Sequence, residues 1–279
     1  QRDWFDVFGR NNAARFDERG FGYFIRENYD SFYPGYGESW PIFNGSIGMT
    51  YEQASARALA LKRDDGLILT YKDGVLHHFT SAIQTARTAA ENREKLLRYY
   101  ANYRQSAIDE GKKGTVEYAL VPGLDPSRAE RLARLLVRQG IEVRQTTEAA
   151  KAGIRTIPAG SYLVAAAQPT GRLIRNLLEA NVDQDEPFVK KQDERRKKRQ
   201  GDQIYDVTAW SLPLAFAVDC VPSAVPVAVK SVPLAGVASN APGALPAAKV
   251  AYLLPWGFNA AAAVAEALQG GIRVRVAGD

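Results

Sequence analysis

TVEYALVPGLDPSRAERLARLLVRQGIEVR, residues 115–144, decides the fold class. Val116–Val121 (VEYALV) is apolar, β-branched and aromatic, and reads as a strand. Asp125 can cap a helix whose first position is Pro126, where a missing N–H costs nothing. Ala129, Leu132, Ala133 and Leu136 then fall on one helical face, Gly140 stops the run, and Ile141–Arg144 (IEVR) supplies a second strand. Strand, helix, strand predicts a parallel pair. The same plan returns near the end of the chain. Lys249–Leu254 (KVAYLL) reads as a strand, Asn259 as the cap of a helix over Ala260–Leu268, Gly270-Gly271 as its stop and Ile272–Val276 (IRVRV) as the last strand. Between the two units, Val221–Ala248 holds five of the fourteen prolines and reads as an extended connector along a surface or sheet edge.

On the N-terminal side, Ser81 and Gln84 have capping-box spacing, and Ile83, Ala86, Ala90, Leu97, Tyr100, Ala107 and Ile108 share one helical face. Gly111 stands in the usual terminating position. The pattern predicts a helix from Ser81 to about Glu110, with its apolar stripe packed against a sheet. Ahead of it, Tyr29–Thr50 (YDSFYPGYGESWPIFNGSIGMT) is dense in aromatics and turn signals, Pro34-Gly35, Gly37, Pro41 and Asn44-Gly45 among them. This predicts an ordered loop pinned by aromatic side chains. Gly48–Glu52 (GMTYE) follows as a short buried strand and Gly66–Lys72 (GLILTYK) as another. The expected fold class is α/β: a partial mixed sheet with a closing helix over 1–112, then a parallel-sheet α/β domain over 113–279 containing the Pro-rich connector 221–248.

Composition narrows the function. A chain of 279 residues suits about two domains, and 46% hydrophobic residues are ordinary for a globular protein. The lone Cys220 excludes an internal disulfide and any zinc site built mainly from cysteine. It sits in VDCVP, without the glycines of a nucleophile elbow, and reads as a buried structural residue. His77 and His78 are the only histidines and are adjacent, so no HxxxH pair exists. No run reaches the roughly 18 apolar residues of a membrane span, and Arg2, Asp3 and Asp6 rule out a signal sequence at the start of this chain. The net charge of +5 sits wholly in Lys190–Arg199 (KKQDERRKKR), but over Asn181–Asp202 the balance falls to +1. That is a solvated, mixed-charge segment rather than a nucleic-acid face. Neither strand–helix turn, PGLDPSRAE or PWGFNAAAA, carries a dinucleotide or phosphate-loop fingerprint.

The informative motif is Tyr33-Pro-Gly-Tyr-Gly-Glu-Ser-Trp40, followed by Asn44–Glu52 (NGSIGMTYE). Here the chain resembles the zinc carboxypeptidase (carboxypeptidase A-like) family, and most of all its large bacterial multidomain members, which carry YPGYGxSWP and GxxGMTYE. The similarity continues through His78-Phe79-Thr80, Ala90–Leu97 (AENREKLL), Pro158–Tyr162 (PAGSY), Gln168–Arg172 (QPTGR) and Tyr205–Pro213 (YDVTAWSLP), and so covers most of the chain. The resemblance implies that residues 1–112 are the C-terminal portion of a carboxypeptidase-like domain, and that the following domain is glutamine-amidotransferase-like, although no amidotransferase triad is evident. It also implies a zinc cofactor in the intact protein, a peptide substrate, hydrolysis of peptide or amide bonds, and a secreted or periplasmic location. In the family a glutamate on the last strand of the peptidase sheet takes a proton from zinc-bound water; Glu52 matches it. On its residues alone, Glu52 reads as a strand-end carboxylate paired with a cation rather than as a base. The family places a substrate-binding tyrosine in the preceding loop, where Tyr33 and Tyr36 are the candidates, with aromatic packing as the other role for each.

The chain departs from the family where the metal would bind. The zinc ligands are an HxxE pair and a later histidine, all before the Glu52 position, and here no histidine precedes Glu52. A hydrolytic zinc needs three protein ligands and an open position, so this chain is expected to hold no metal and to be inactive alone. Two functions remain: part of a zinc metallocarboxypeptidase, or a non-catalytic peptide- or partner-binding α/β module. If the first domain is truncated, it leaves sheet edges and apolar faces exposed, which favours self-association.

Overall fold

The computed structural model describes residues 1–25, 33–181, 184–203, 210–234 and 247–277. The chain is mixed α/β and divides into two compact units, Gln1–Gln105 with Gly201–Thr208 and Ser106–Gln200 with Ala209–Asp279. Among the described residues no helix is long and apolar enough to cross a membrane.

The first unit holds helix α1 (Arg2–Asp17), a single turn α2 (Ser39–Ile42), a hairpin of β1 (Ala60–Lys62) and β2 (Ile68–Thr70), helix α3 (Tyr71–Glu91) and the start of helix α4 (Arg93–Gly111), whose residues from Ser106 on belong to the second unit. α3 starts ten residues before the expected Ser81. Thr70, in extended conformation at the end of β2, accepts the Asp73 amide on its hydroxyl (3.2 Å) and donates its own amide to Asp73 Oδ2 (2.9 Å). That reciprocal box satisfies two amides that a helix start leaves unpaired. Ser81 lies mid-helix instead and donates its hydroxyl to the His78 carbonyl (3.0 Å). The helix is interrupted at Asn92, whose side-chain amide donates to the Thr88 carbonyl (2.9 Å).

The packing of α3 also differs from the expected stripe. Its buried side chains are Thr80, Ser81 and Thr88; of the expected stripe, Ile83 on α3 and Leu97 and Tyr100 on α4 are exposed, while Ala107 on α4 is buried. The seam between α1 and α3 is polar. Asn11 Nδ2 donates to Thr88 Oγ1 (3.1 Å), Asn12 Nδ2 to Thr85 Oγ1 (3.3 Å), and Arg19 Nη1 to Thr80 Oγ1 (3.2 Å). Buried hydroxyls that find donors escape most of the desolvation cost, so a helix can bury threonines while its apolar row faces outward. Gly48–Glu52 is irregular rather than a strand, and Tyr51 and Glu52 are exposed, because β1 and β2 pair only with each other and offer the segment no ladder. Of Gly66–Lys72, Ile68–Thr70 forms the strand, and Tyr71 already belongs to α3.

The second unit contains β3 (Glu117–Val121), α5 (Pro126–Arg138), β4 (Arg144–Thr146), β5 (Ala150–Ala152), β6 (Arg155–Ile157), β7 (Tyr162–Ala165), α6 (Gly171–Leu178), α7 (Glu186–Lys197), α8 (Leu212–Phe216), β8 (Asp219–Ser223), β9 (Ser231–Pro233) and α9 (Ala260–Gln269). Asp125 caps α5 through the Ser127 amide (3.2 Å), and Ala129, Leu132, Ala133 and Leu136 are its buried face, as their spacing requires. Five strands form one sheet in the order β8-β3-β7-β4-β9, every neighbouring pair antiparallel. The expected parallel sheet is therefore corrected. β3 and β4 do run the same way, since each is antiparallel to β7, but β7 lies between them. Its Tyr162-Leu163-Val164 is buried on both faces and takes the centre.

The residues expected to be a connector build both edges of this sheet. β8 and β9 carry Pro222 and Pro233, and a residue that cannot donate to a ladder is tolerated at an edge. Residues 235–246 of that stretch lie outside the described residues. Ala119, Leu163 and Val221 meet the β5–β6 hairpin residues Ala152 and Ile157 in one buried cluster. At the start of β3, buried Glu117 accepts from Arg144 Nη2 (2.6 Å) and from the Val227 amide (2.7 Å), which ties the turn between β8 and β9 to the sheet. Gly111, at the end of α4, lies against the Ala166–Ala167 main chain, where a methyl would overlap the Ala166 carbonyl and sit 2.6 Å from Ala167 Cα.

The second strand–helix–strand plan is realised only as its helix. Lys249–Leu254 and Ile272–Val276 form no strand; Val250, for example, is 97% exposed. Neither segment has a hydrogen-bonded strand beside it among the described residues. The basic run Lys190–Arg199 lies on α7 and the turn after it, exposed apart from the buried Gln192 and half-buried Arg195.

Candidate functional site

The segment carrying Glu52 is held from both sides by side chains rather than by a ladder. The Tyr51 hydroxyl accepts from Asn12 Nδ2 of α1 (2.8 Å) and shares a hydrogen bond with Thr85 Oγ1 of α3 (3.1 Å). Gln53 Oε1 is hydrogen-bonded to His77 Nδ1 of α3 (3.0 Å). Between these two anchors the exposed Glu52 makes no hydrogen bond or ion pair with any described residue. The cation partner open to a strand-end carboxylate is thus not found among the described residues.

Tyr33 and Tyr36 come together. Their rings stand edge to face, with centroids 5.5 Å apart, Tyr33 the more exposed. The loop after them is ordered by hydrogen bonds and aromatics. The Trp40 amide returns to the Tyr36 carbonyl (2.9 Å), and Gln1 Nε2 donates to the Ile42 and Ser46 carbonyls at 3.2 and 3.3 Å. Gly45 takes φ +98, with the Tyr103 and Tyr100 rings so close that a methyl would lie 2.9 and 3.1 Å from them. Only glycine serves both demands. Trp4 packs edge-on against Tyr99 (6.4 Å) and beside Phe8 (6.3 Å) to continue the aromatic support.

His77 is the titratable neighbour that sequence reading passed over. Its ring lies 4.4 Å from Phe21 and 6.0 Å from Phe16, and its Nδ1 is engaged by Gln53. Placing the helix start at Tyr71 is what turns His77 inward, one turn after Asp73; with a start at Ser81 it had no face. The Asp73 carboxyl is held below its ordinary value chiefly by hydrogen bonds from the Thr70 side chain and backbone. Among the described residues no three His, Cys, Asp or Glu side chains gather where a metal could be bound.

Cys220 is the second residue of β8, half-buried and opposite Leu120. Burial, assisted by Asp219, pushes its thiol up to about 12, the reverse of what a nucleophile needs. Asp125 does more than cap α5: it also accepts from Arg128 Nε (3.1 Å), and the Phe258 amide donates to its Oδ2. Arg131 stacks 3.8 Å over the Phe258 ring. This dense set of bonds docks the segment before α9 and leaves Asp125 no free proton-accepting role. No family model, curated protein or solved structure matches the chain significantly.

Proposed function

We propose that this chain is part of a zinc-carboxypeptidase-like protein that hydrolyses peptide or amide bonds, and that Glu52 is the carboxylate that accepts the proton of the attacking water. In this reading β1, β2, α3 and α4 are closing elements of a carboxypeptidase-like domain, and Tyr33 and Tyr36 flank the bound peptide. The observation that carries it is the state of Glu52: a solvent-facing carboxylate without a partner among the described residues, between two residues pinned to α1 and α3. A general base must reach its proton without first breaking an ion pair. The described residues supply no zinc ligand set, so no step here passes through a metal; the reading requires an HxxE pair and a further histidine from sequence outside residues 1–279.

The test has two stages. The gene sequence ahead of the Gln1 codon is read for that ligand set, and its absence refutes the reading. If it is present, the whole gene product and its Glu52→Gln variant are compared on a C-terminal peptide substrate. Loss of general-base assistance is expected to lower kcat by about 10²–10⁴-fold at an unchanged melting temperature; activity within about threefold removes Glu52 from the chemistry. The isolated chain is expected to be inactive and to retain no stoichiometric zinc after dialysis. A non-catalytic peptide-binding role is the second reading. It is favoured by the edge-to-face Tyr33–Tyr36 pair standing at the surface, and it predicts peptide binding that Tyr33→Ala weakens and Glu52→Gln does not.

A further inference from the structure

The run Arg195–Arg199 (RRKKR) takes no part in the site above. It closes α7, which is anchored by buried Gln192 and half-buried Arg195, and Arg196, Lys197, Lys198, Arg199 and Gln200 after them are all exposed. The amides of Lys198, Arg199 and Gln200 donate to the Glu194, Arg196 and Arg195 carbonyls at 3.1, 3.0 and 2.9 Å. Arg199 takes φ +54, in the left-handed region that disfavours a side chain. Five adjacent cations repel one another, and the helix C-terminus offsets only part of that repulsion. A helix end with exposed side chains, like charges and a left-handed residue opens locally with little loss. Gln200 also ends this stretch of the second unit, and such boundaries lie in exposed chain. The order of the cations is itself selective. Among the 36 Lys and Arg residues, Arg199 is the one arginine with a cation both one and three positions before it, Lys198 and Arg196. Uncharged Gln200 and Gly201 follow. Cations at those three places match an enzyme cleft lined by carboxylates.

We propose that the Arg199–Gln200 bond is a processing site for an endoprotease specific for clustered basic residues, and that its product is a two-piece molecule that stays assembled. Water is the co-reactant. The C–N bond breaks, a hydroxyl adds to the Arg199 carbonyl carbon to leave a carboxylate, and a proton goes to the Gln200 nitrogen, which leaves as an amine. Assembly follows from the strand order. Residues 200–279 carry β8 and β9, the two edges of the five-stranded sheet, and residues 1–199 carry β3, β7 and β4 between them. β8 pairs with β3 over five residues and β9 with β4 over three. The Val227 amide on buried Glu117 (2.7 Å) and Trp210 Nε1 on the Asn176 carbonyl (3.2 Å) also join one piece to the other. The cut therefore severs the chain at a place where the sheet already holds both sides of it.

The test is limited proteolysis of the 279-residue chain, read by intact mass and by size-exclusion chromatography. A limiting amount of trypsin is expected to cut first between Lys197 and Gln200, ahead of every other Lys and Arg site. An endoprotease that demands arginine at the cut residue and cations one and three positions before it is expected to give residues 1–199 and 200–279. The two pieces are expected to elute together in native buffer and to part in guanidinium. Arg199→Gln, with folding checked by circular dichroism, is expected to slow the second protease at least about 100-fold. Lys197→Gln removes the same charge from the position two before the cut, which that protease does not read, and is expected to leave the rate unchanged. A first tryptic cut elsewhere, a chain that the second protease leaves intact, an Arg199→Gln chain cut at the parental rate, or pieces that separate in native buffer would each overturn the proposal.

Discussion

Replacing Arg144 by methionine should strand a carboxylate that the fold has buried. Glu117 is 2% exposed and takes one hydrogen bond from Arg144 (2.6 Å) and one from the Val227 amide (2.7 Å). Arg144 in turn donates to Ser231 Oγ of β9 at 3.0 Å. Losing a charge-assisted hydrogen bond costs about 1.5–3 kcal/mol, and stranding a buried charge about 3–5 kcal/mol. The Arg144 side chain is itself 42% exposed, so water entering along its path would rehydrate part of the carboxylate and the lower range applies. The expected loss is about 2–3 kcal/mol, a fall of roughly 5–10 °C in the melting midpoint of the second unit. The assay is thermal unfolding followed by circular dichroism, with amide exchange at Val227 as the local readout. Arg144→Met should speed that exchange, whereas Glu117→Gln in the Arg144→Met background should recover much of the midpoint, because a neutral amide costs less to bury. A loss below about 0.5 kcal/mol, or a double variant no better than the single, would refute the reasoning.

Three further outcomes are expected. Thr70→Ala should cost about 1 kcal/mol by removing the cap of α3. The stability contributed by Asp73, whose carboxyl is held below its usual range, should be complete above about pH 4 and drain away as pH falls through the depressed value; amide exchange in the first turn of α3, corrected for intrinsic rates, would reveal it, and a pH-independent first turn would count against the box. Cys220, with its thiol pushed up to about 12, should react with a disulfide reagent at pH 8 at least about 100-fold more slowly in the native chain than in guanidinium; since the folded state disfavours the thiolate, stability should also fall as pH rises above about 8.5. Gly111→Ala should destabilise by about 1–3 kcal/mol, because its methyl meets main chain that cannot rotate away, and an unchanged melting curve would show that α4 shifts freely.

What could be read from the residues was the local grammar. Asp125-Pro126, the 129/132/133/136 spacing and Gly140 are short-range signals, and strand β3 and helix α5 lie where they point. Pairing is not local. Nothing between residues 115 and 144 announces that β7, contributed later, will slip between β3 and β4 and turn a parallel plan into an antiparallel sheet. The prolines of Val221–Ala248 point to extended chain along a surface or sheet edge, and its described residues supply most of β8 and all of β9, the two edge strands. Two capping boxes competed for α3. Thr70-Asp73 won because it follows a strand in extended backbone, whereas Ser81-Gln84 lies in a run with nothing to break it. In the candidate site, the turns and pinned aromatics of the Tyr33–Ser46 loop were legible. The Tyr51 and Gln53 anchors were not, since both depend on how α1 and α3 pack.

The strand order also sets a schedule for synthesis. β3 cannot acquire its outer neighbour β8 until about a hundred further residues have been made, and β4 waits about as long for β9. A ribosome adding about 5–20 residues per second would hold β3, β7 and β4 for several seconds as a narrow ribbon with two bare margins. During that interval the nascent chain offers unmatched amides and carbonyls on each side, the state in which strands of neighbouring chains pair wrongly. Yield in a cell should therefore depend on translation speed and on holding chaperones more than the melting temperature of the finished molecule would suggest. Synonymous changes that slow decoding between residues 165 and 233 would lengthen the exposure and shift product toward aggregate, without altering a single atom of the folded protein.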